Sequence, residues 1–142
     1  MNFPQLDKYR DQGLLVLRIG LGIMFIYHGA PKLFGGPHFW NQLGNAMGSL
    51  GIHFFPVYWG FMAAFAEFAG GILLITGMLF RPACLFLLID MIVAASMHFG
   101  MKQGLGIASH AIEDGIVFLS LILIGPGKLS IDYLVRRRFF KT

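Results

Sequence analysis

Eight ionisable residues stand inside stretches of the chain that are otherwise apolar: Arg18, His28, Glu67, Asp90, His98, His110, Glu113 and Asp114. Imidazole and carboxylate side chains together suit several kinds of chemistry. A metal site could use His28, His98, His110 and a carboxylate, since imidazole and carboxylate suit zinc, iron or copper. They can pass protons in series. A histidine or a carboxyl group can also hydrogen-bond a ring carbonyl of a quinone. The same groups can do no more than link helices, with His28 and His98 at an interface. His110, Glu113 and Asp114 are spaced i, i+3 and i+4, which puts them on one face of a helix. Glu67 shares its face with Ala63, Gly70 and Gly71. Small residues of this kind, with Gly20, Gly22 and Ala66, allow helix backbones to approach closely.

The elements that must carry these residues follow from composition. Of 142 residues, 56% are hydrophobic and 13% charged. A soluble domain carries about 25% charged residues. A chain this short needs much polar surface in water, so a bilayer is the solvent that fits. Four apolar runs occur at about 14–33, 56–80, 82–99 and 107–124. Each is near the roughly 20 residues that a helix needs to span hydrocarbon. The expected fold is all-α, an integral membrane four-helix bundle forming one domain over residues 1–142. Pro56 suits a helix start, Arg81-Pro82 is expected to end the second span, and Gly125-Pro126-Gly127 the fourth. Residues 35–55 hold Phe39, Trp40, Leu43, Met47 and Leu50 at helix-like intervals, which reads as a short helix at the membrane interface. The lone Cys84 excludes a disulfide or a C-x-x-C pair within the chain and reads as a packing residue.

Orientation follows from the basic residues. Lys8, Arg10, Arg81, Lys128, Arg136, Arg137, Arg138 and Lys141 fall on one side, and Lys32 and Lys102 on the other. The richer side is cytoplasmic, so both termini are inside. The basic run at the C-terminus follows an apolar helix directly, so it reads as an anchor on the lipid surface and no nucleic-acid partner is expected.

Depth can be counted at about 1.5 Å per helical residue. From the cytoplasmic ends, Arg18 lies roughly 7 Å in and Asp90 roughly 12 Å in, which predicts a buried Arg18–Asp90 ion pair with Arg18–Glu67 as its rival. The same count gathers Glu67, Glu113, Asp114, His28, His98 and His110 at roughly 16–24 Å, in the outer half. These six are the expected ligand-binding or proton-relay residues, with Lys32 as an orienting charge. No catalytic residue is assigned.

Three segments carry a resemblance: LLVLRIGLGIMFIYHGAPKLFG, FAEFAGGILLITGMLFRPA and IEDGIVFLSLILIGPGKLSID. In their order and spacing they resemble the DoxX family of small four-helix bacterial membrane proteins. Matching positions include Arg18, His28, Gly29, Lys32, Leu33, Glu67, Gly70, Gly71, Arg81, His98, Glu113, Ser130 and Asp132. The resemblance implies a multi-pass protein of the bacterial inner membrane. It also implies association with membrane redox or oxidative-stress systems, since the family takes its name from a small subunit of a thiosulfate:quinone oxidoreductase. On that footing the expected role is an accessory subunit that binds a quinone-like ligand, with a redox partner protein and self-association both open. A small oligomeric transporter and a non-catalytic structural subunit are the alternatives.

Overall fold

A computed structural model describes residues 7–139. Six α-helices occur in it, and no strand is present among the described residues. They are α1 (Arg10–Phe34), α2 (Gly36–Gly44), α3 (Pro56–Thr76), α4 (Phe80–Gly100), α5 (Leu105–Ile124) and α6 (Ile131–Phe139). Helices α1, α3, α4 and α5 are long and apolar enough to cross a membrane. Their outward faces hold exposed Val16, Ile23, Phe86, Ile92, Ile116 and Leu123. In water such a belt would be a large adhesive patch; acyl chains cover it at no cost.

The packing is closest between α1 and α3 and between α4 and α5, with α3 against α4 joining the two pairs. Phe25 of α1 meets Phe118 of α5 edge-to-face at 5.0 Å. Phe80, Cys84, Leu87 and Met91 of α4 fill the centre with Leu74 and Leu121. The start of α1, the end of α3, the start of α4 and the end of α5 share one end of the bundle, here the terminal end. Backbone–side-chain bonds tie them there: Asp11 Oδ1 accepts the Lys128 N–H at 2.9 Å.

The second span is shorter than its sequence suggests. Helix α3 stops at Thr76, where Gly77 takes a left-handed φ of 65° and donates its N–H to the Leu73 carbonyl at 2.8 Å. Glycine does this without a Cβ clash. Phe80 then opens α4, and Arg81-Pro82 lies in the first turn of α4 instead of ending α3. Proline is tolerated there because the first N–H groups of a helix have no internal partner anyway. Two of those N–H groups, on Leu79 and Phe80, donate to the Asp132 carboxylate at 2.9 Å each. The cap of α4 thus comes from α6, some fifty residues away in the chain.

Residues 35–55 fold as α2 and a 3-10 segment, Asn45–Leu50. The Trp40 indole N–H donates to the Lys32 carbonyl at 3.0 Å, and its ring packs on Phe61. Glycines permit the close seat of α2 on α3: a Cβ at Gly44 would overlap the Pro56 carbonyl, and one at Gly60 the Trp40 carbonyl. The basic run Arg136–Arg138 forms the last turn of α6. Cations there oppose the negative end of the helix dipole. Lys141 lies outside the described residues.

Candidate functional site

Arg18 is buried, but it pairs with neither Asp90 nor Glu67. Its guanidinium donates four hydrogen bonds to carbonyl oxygens. Nε reaches Leu74 at 2.9 Å, Nη2 reaches Ile75 at 2.8 Å, and Nη1 reaches Pro126 and Leu129 at 2.8 Å each. Helix ends leave carbonyls without internal donors. Leu74 and Ile75 are in the last turn of α3, and Pro126 and Leu129 follow α5. A planar fork of five donors is the side chain that can meet several such acceptors at once. The expected Arg18–Asp90 pair is replaced by an arginine clamp on the backbone at the terminal end.

Asp90 belongs to a different cluster. The boundary correction shows why. Glu67 is nine residues before the end of α3 and Asp90 ten residues after the start of α4. At about 1.5 Å per residue both are roughly 14–15 Å from the terminal end, at one level. Glu67 is buried, and its Oε1 receives the Lys32 ammonium at 2.6 Å. Glu67 Oε2 is also buried and has no donor. Asp90 of α4 lines the same cavity as Glu67 and Lys32.

These three groups open onto a cavity of about 410 Å³ between α2, α3 and α4. Its wall is mostly apolar, with Trp59, Phe86, Met47, Met62 and Met97 prominent. Methionine is flexible and polarisable and adapts to irregular apolar guests. His98 is at the wall as well, held through Nδ1 at 2.6 Å from Gln103 Oε1. If that amide oxygen is the acceptor, Nδ1 carries the proton and Nε2 is left as the ring's second polar atom.

Of the six residues expected to form one outer layer, the structure brings Glu67 and His98 to this cavity, with Lys32 and Asp90. It does not bring the other four. His28, His110 and Glu113 are exposed on the flank where α1 and α5 are neighbours, and Asp114 is half-buried there near those three. Equal depth did not mean equal azimuth. Among the described residues, no three His, Cys, Asp or Glu side chains converge as a metal would require. The His28–His98–His110 set is divided, with His98 on the cavity wall and His28 and His110 on the α1–α5 flank.

The Lys32–Glu67 pair was the contact not read from sequence, although Lys32 was placed at the site as an orienting charge. The signal was present. Lys32 ends the first span at the level of the outer cluster, and a lysine there needs a carboxylate within its reach.

Residues 13–100, which hold α1 to α4 and so the whole wall of the cavity, match the DoxX family. The chain is 29% identical over 139 residues to Inner membrane protein YqjF of Escherichia coli, covering 94% of this chain and all of that one. It is 31% identical over 144 residues to an uncharacterized protein of Haemophilus influenzae, covering 96% of this chain and 97% of its relative. No solved structure matches. On the span and coverage of these matches, the chain belongs to the DoxX family.

Proposed function

We propose that this chain is an inner-membrane subunit that holds a quinone-like lipophilic ligand in the cavity between α2, α3 and α4, in partnership with a membrane redox or oxidative-stress system. One observation carries the reading: a buried carboxylate oxygen without a donor, Glu67 Oε2, in a mainly apolar cavity that Asp90 also lines. Lys32 adds a donor at the same place, through its ammonium on Glu67 Oε1. The cavity thus offers one cationic donor and an unfilled carboxylate acceptor within an apolar wall.

Such a site suits a neutral guest with a hydrogen-bond acceptor. The cavity volume of about 410 Å³ lies in the usual range for small-ligand pockets, roughly 300–1,000 Å³ with few polar groups. A ring carbonyl would meet the Lys32 ammonium, a ring hydroxyl would meet Glu67 Oε2, and the methionine and aromatic wall would take the ring and tail. A bound quinone would supply the redox chemistry; the chain's own residues orient it.

The same reading sets topology. The terminal end carries Lys8, Arg10, Arg81, Lys128 and Arg136–Arg138, so it faces the cytoplasm. Helix α2 then lies at the outer interface, and the cavity opens in the outer half. The exposed His28, His110 and Glu113 on the α1–α5 flank support packing of a second copy there on this reading.

The chain has two tryptophans, so Trp40→Phe isolates Trp59 in the cavity wall as a reporter. Decylubiquinone is expected to quench Trp59 saturably, and organic extracts of the purified protein are expected to contain quinone. Glu67→Gln removes a charged hydrogen-bond partner and is expected to weaken quenching about tenfold or more. No saturable quenching together with quinone-free extracts removes the proposal. Proteoliposome flux that disappears in Glu67→Gln would then favour a permeation element. Lower thermal stability alone would favour a structural subunit.

A further inference from the structure

The terminal end holds a second concavity, of about 720 Å³. It is separate from the cavity at Glu67 and shares no residue with it. Five cations line it: Lys8, Arg10, Arg81, Lys128 and Arg136. They do not come from one run of sequence. Lys8 precedes α1, Arg10 begins it, Arg81 is in α4, Lys128 is in the α5–α6 connection, and Arg136 is in α6. Folding gathers one cation from each.

Two carboxylates share the wall, and both are engaged elsewhere. Asp11 accepts the Lys128 N–H, and Asp132 accepts the N–H groups of Leu79 and Phe80. Neither forms an ion pair, because the pair of Lys32 with Glu67 is the only salt bridge among the described residues. Arg81 gives its Nε–H to the Ile122 carbonyl at 3.0 Å, which leaves its two terminal nitrogens to the concavity. The floor is apolar, with Leu14, Leu79, Pro82 and Ile124. Leu79 and Ile124 are also exposed beside the concavity, so the floor continues into the lipid-facing belt.

We propose that this concavity binds the phosphate group of an anionic phospholipid. Cationic walls over an apolar floor, at the level where spans end, match a phosphodiester above its acyl chains. Clustered basic groups between helices near the membrane surface attract anionic headgroups. A phosphocholine headgroup would bring its own cation into the cluster and is disfavoured. A lipid with two phosphates engages more of the five cations than a lipid with one. The shared chemistry is the phosphate ester, so a soluble phosphate is the other source to be tested.

The full chain, purified in dodecyl maltoside, is delipidated and titrated with cardiolipin, phosphatidylglycerol or phosphatidylcholine, with retained lipid read by native mass spectrometry. Cardiolipin is expected to bind most tightly and phosphatidylcholine least. Arg10→Gln with Arg81→Gln is expected to weaken cardiolipin binding about tenfold or more. Arg137→Gln with Arg138→Gln removes the same charge outside the concavity and is expected to change binding less than about threefold. If the first pair of changes prevents folding, Lys8→Gln with Lys128→Gln takes its place, since neither lysine ammonium has a hydrogen-bond partner among the described residues. Equal binding of phosphatidylcholine, or an equal loss in the Arg137/Arg138 variant, overturns the proposal. Binding of inorganic phosphate that depends on Arg10 and Arg81, without preference among lipids, assigns the concavity to a soluble phosphate and also overturns it.

Discussion

Arg18 donates to four carbonyls from two segments of chain, so it fastens α1 to the end of α3 and to the turn after α5. Lysine has three donors on one nitrogen and cannot span acceptors that a guanidinium reaches with separate nitrogens. Hydrogen bonds to charged groups contribute about 1.5–3 kcal/mol each. With at least two of them lost, Arg18→Lys is expected to cost about 3–5 kcal/mol. Thermal unfolding in detergent micelles would show this as a large drop in Tm. A Tm unchanged by Arg18→Lys would mean that the clamp carries no net stability. The burial of Arg18 was legible in the sequence, because a cation roughly 7 Å inside an apolar run is costly in hydrocarbon without a partner. Its partners were not. A carboxylate is visible as a letter, whereas every residue offers a carbonyl, and only the fold says which carbonyls are left without donors. Asp90 is the acid whose depth suits Arg18, but the carbonyls at the helix ends take its donors instead. Glu67 was readable as a site residue for the opposite reason: a mid-span acid on a small-residue face has few structural alternatives.

At the scale of elements, the helix contacts were readable in kind but not in detail. Gly20 and Gly22 both suit a close approach on α1, yet only one makes it. A Cβ at Gly22 would come to 2.6 Å from the Gly71 carbonyl oxygen, and one at Gly71 to 2.7 Å from that of Gly22. The same atom at Gly20 would meet nothing within 4 Å. At 3.6 residues per turn, two residues apart lie on nearly opposite sides of a helix, and the rotation of the helix decides which one faces its neighbour. Gly22→Ala is expected to force α1 away from α3 and to cost about 1–3 kcal/mol, as overpacking generally does. Gly20→Ala is expected to be neutral or to stabilise by about 0.5–1 kcal/mol, because alanine favours helix. Unfolding curves of the two variants compare positions two residues apart on one helix. The reverse order would contradict the register of α1 on α3. The misplaced end of the second span has a similar origin. Phe80 continues the apolar run without a break, so hydropathy carries the span past Gly77. The left-handed turn at Gly77 and the remote cap from Asp132 are what stop α3 and start α4.

At the scale of the whole molecule, the bundle has one flank that does not match its solvent. His110 and Glu113 are five and eight residues inside α5 from Leu105, or roughly 8 and 12 Å below its end. Both are exposed, as is His28 of the neighbouring α1. A charged side chain at the centre of a bilayer costs roughly 2.5–3.5 kcal/mol, and such groups normally face protein. The flank carries a hydrogen-bond donor and an acceptor, imidazole and carboxylate, on one helix face. A twofold axis beside α5 would set His110 of one copy against Glu113 of the other, and the reverse, which is the self-complementarity that an isologous dimer requires. The prediction is a dimer in lipid that buries this flank. Gly106→Cys places a thiol on the exposed side of α5, where an added Cβ meets nothing within 4 Å. It is expected to form a disulfide-linked dimer under mild oxidation. The native Cys84 is buried and should not cross-link. Glu113→Leu removes the partner of the imidazole and is expected to abolish the cross-link while leaving the monomer folded. If the protein stays monomeric in nanodiscs and Glu113→Leu raises its stability, the flank faces lipid and the dimer does not form. If the dimer persists in Glu113→Leu, another surface makes it, and the polar flank remains unexplained by self-association.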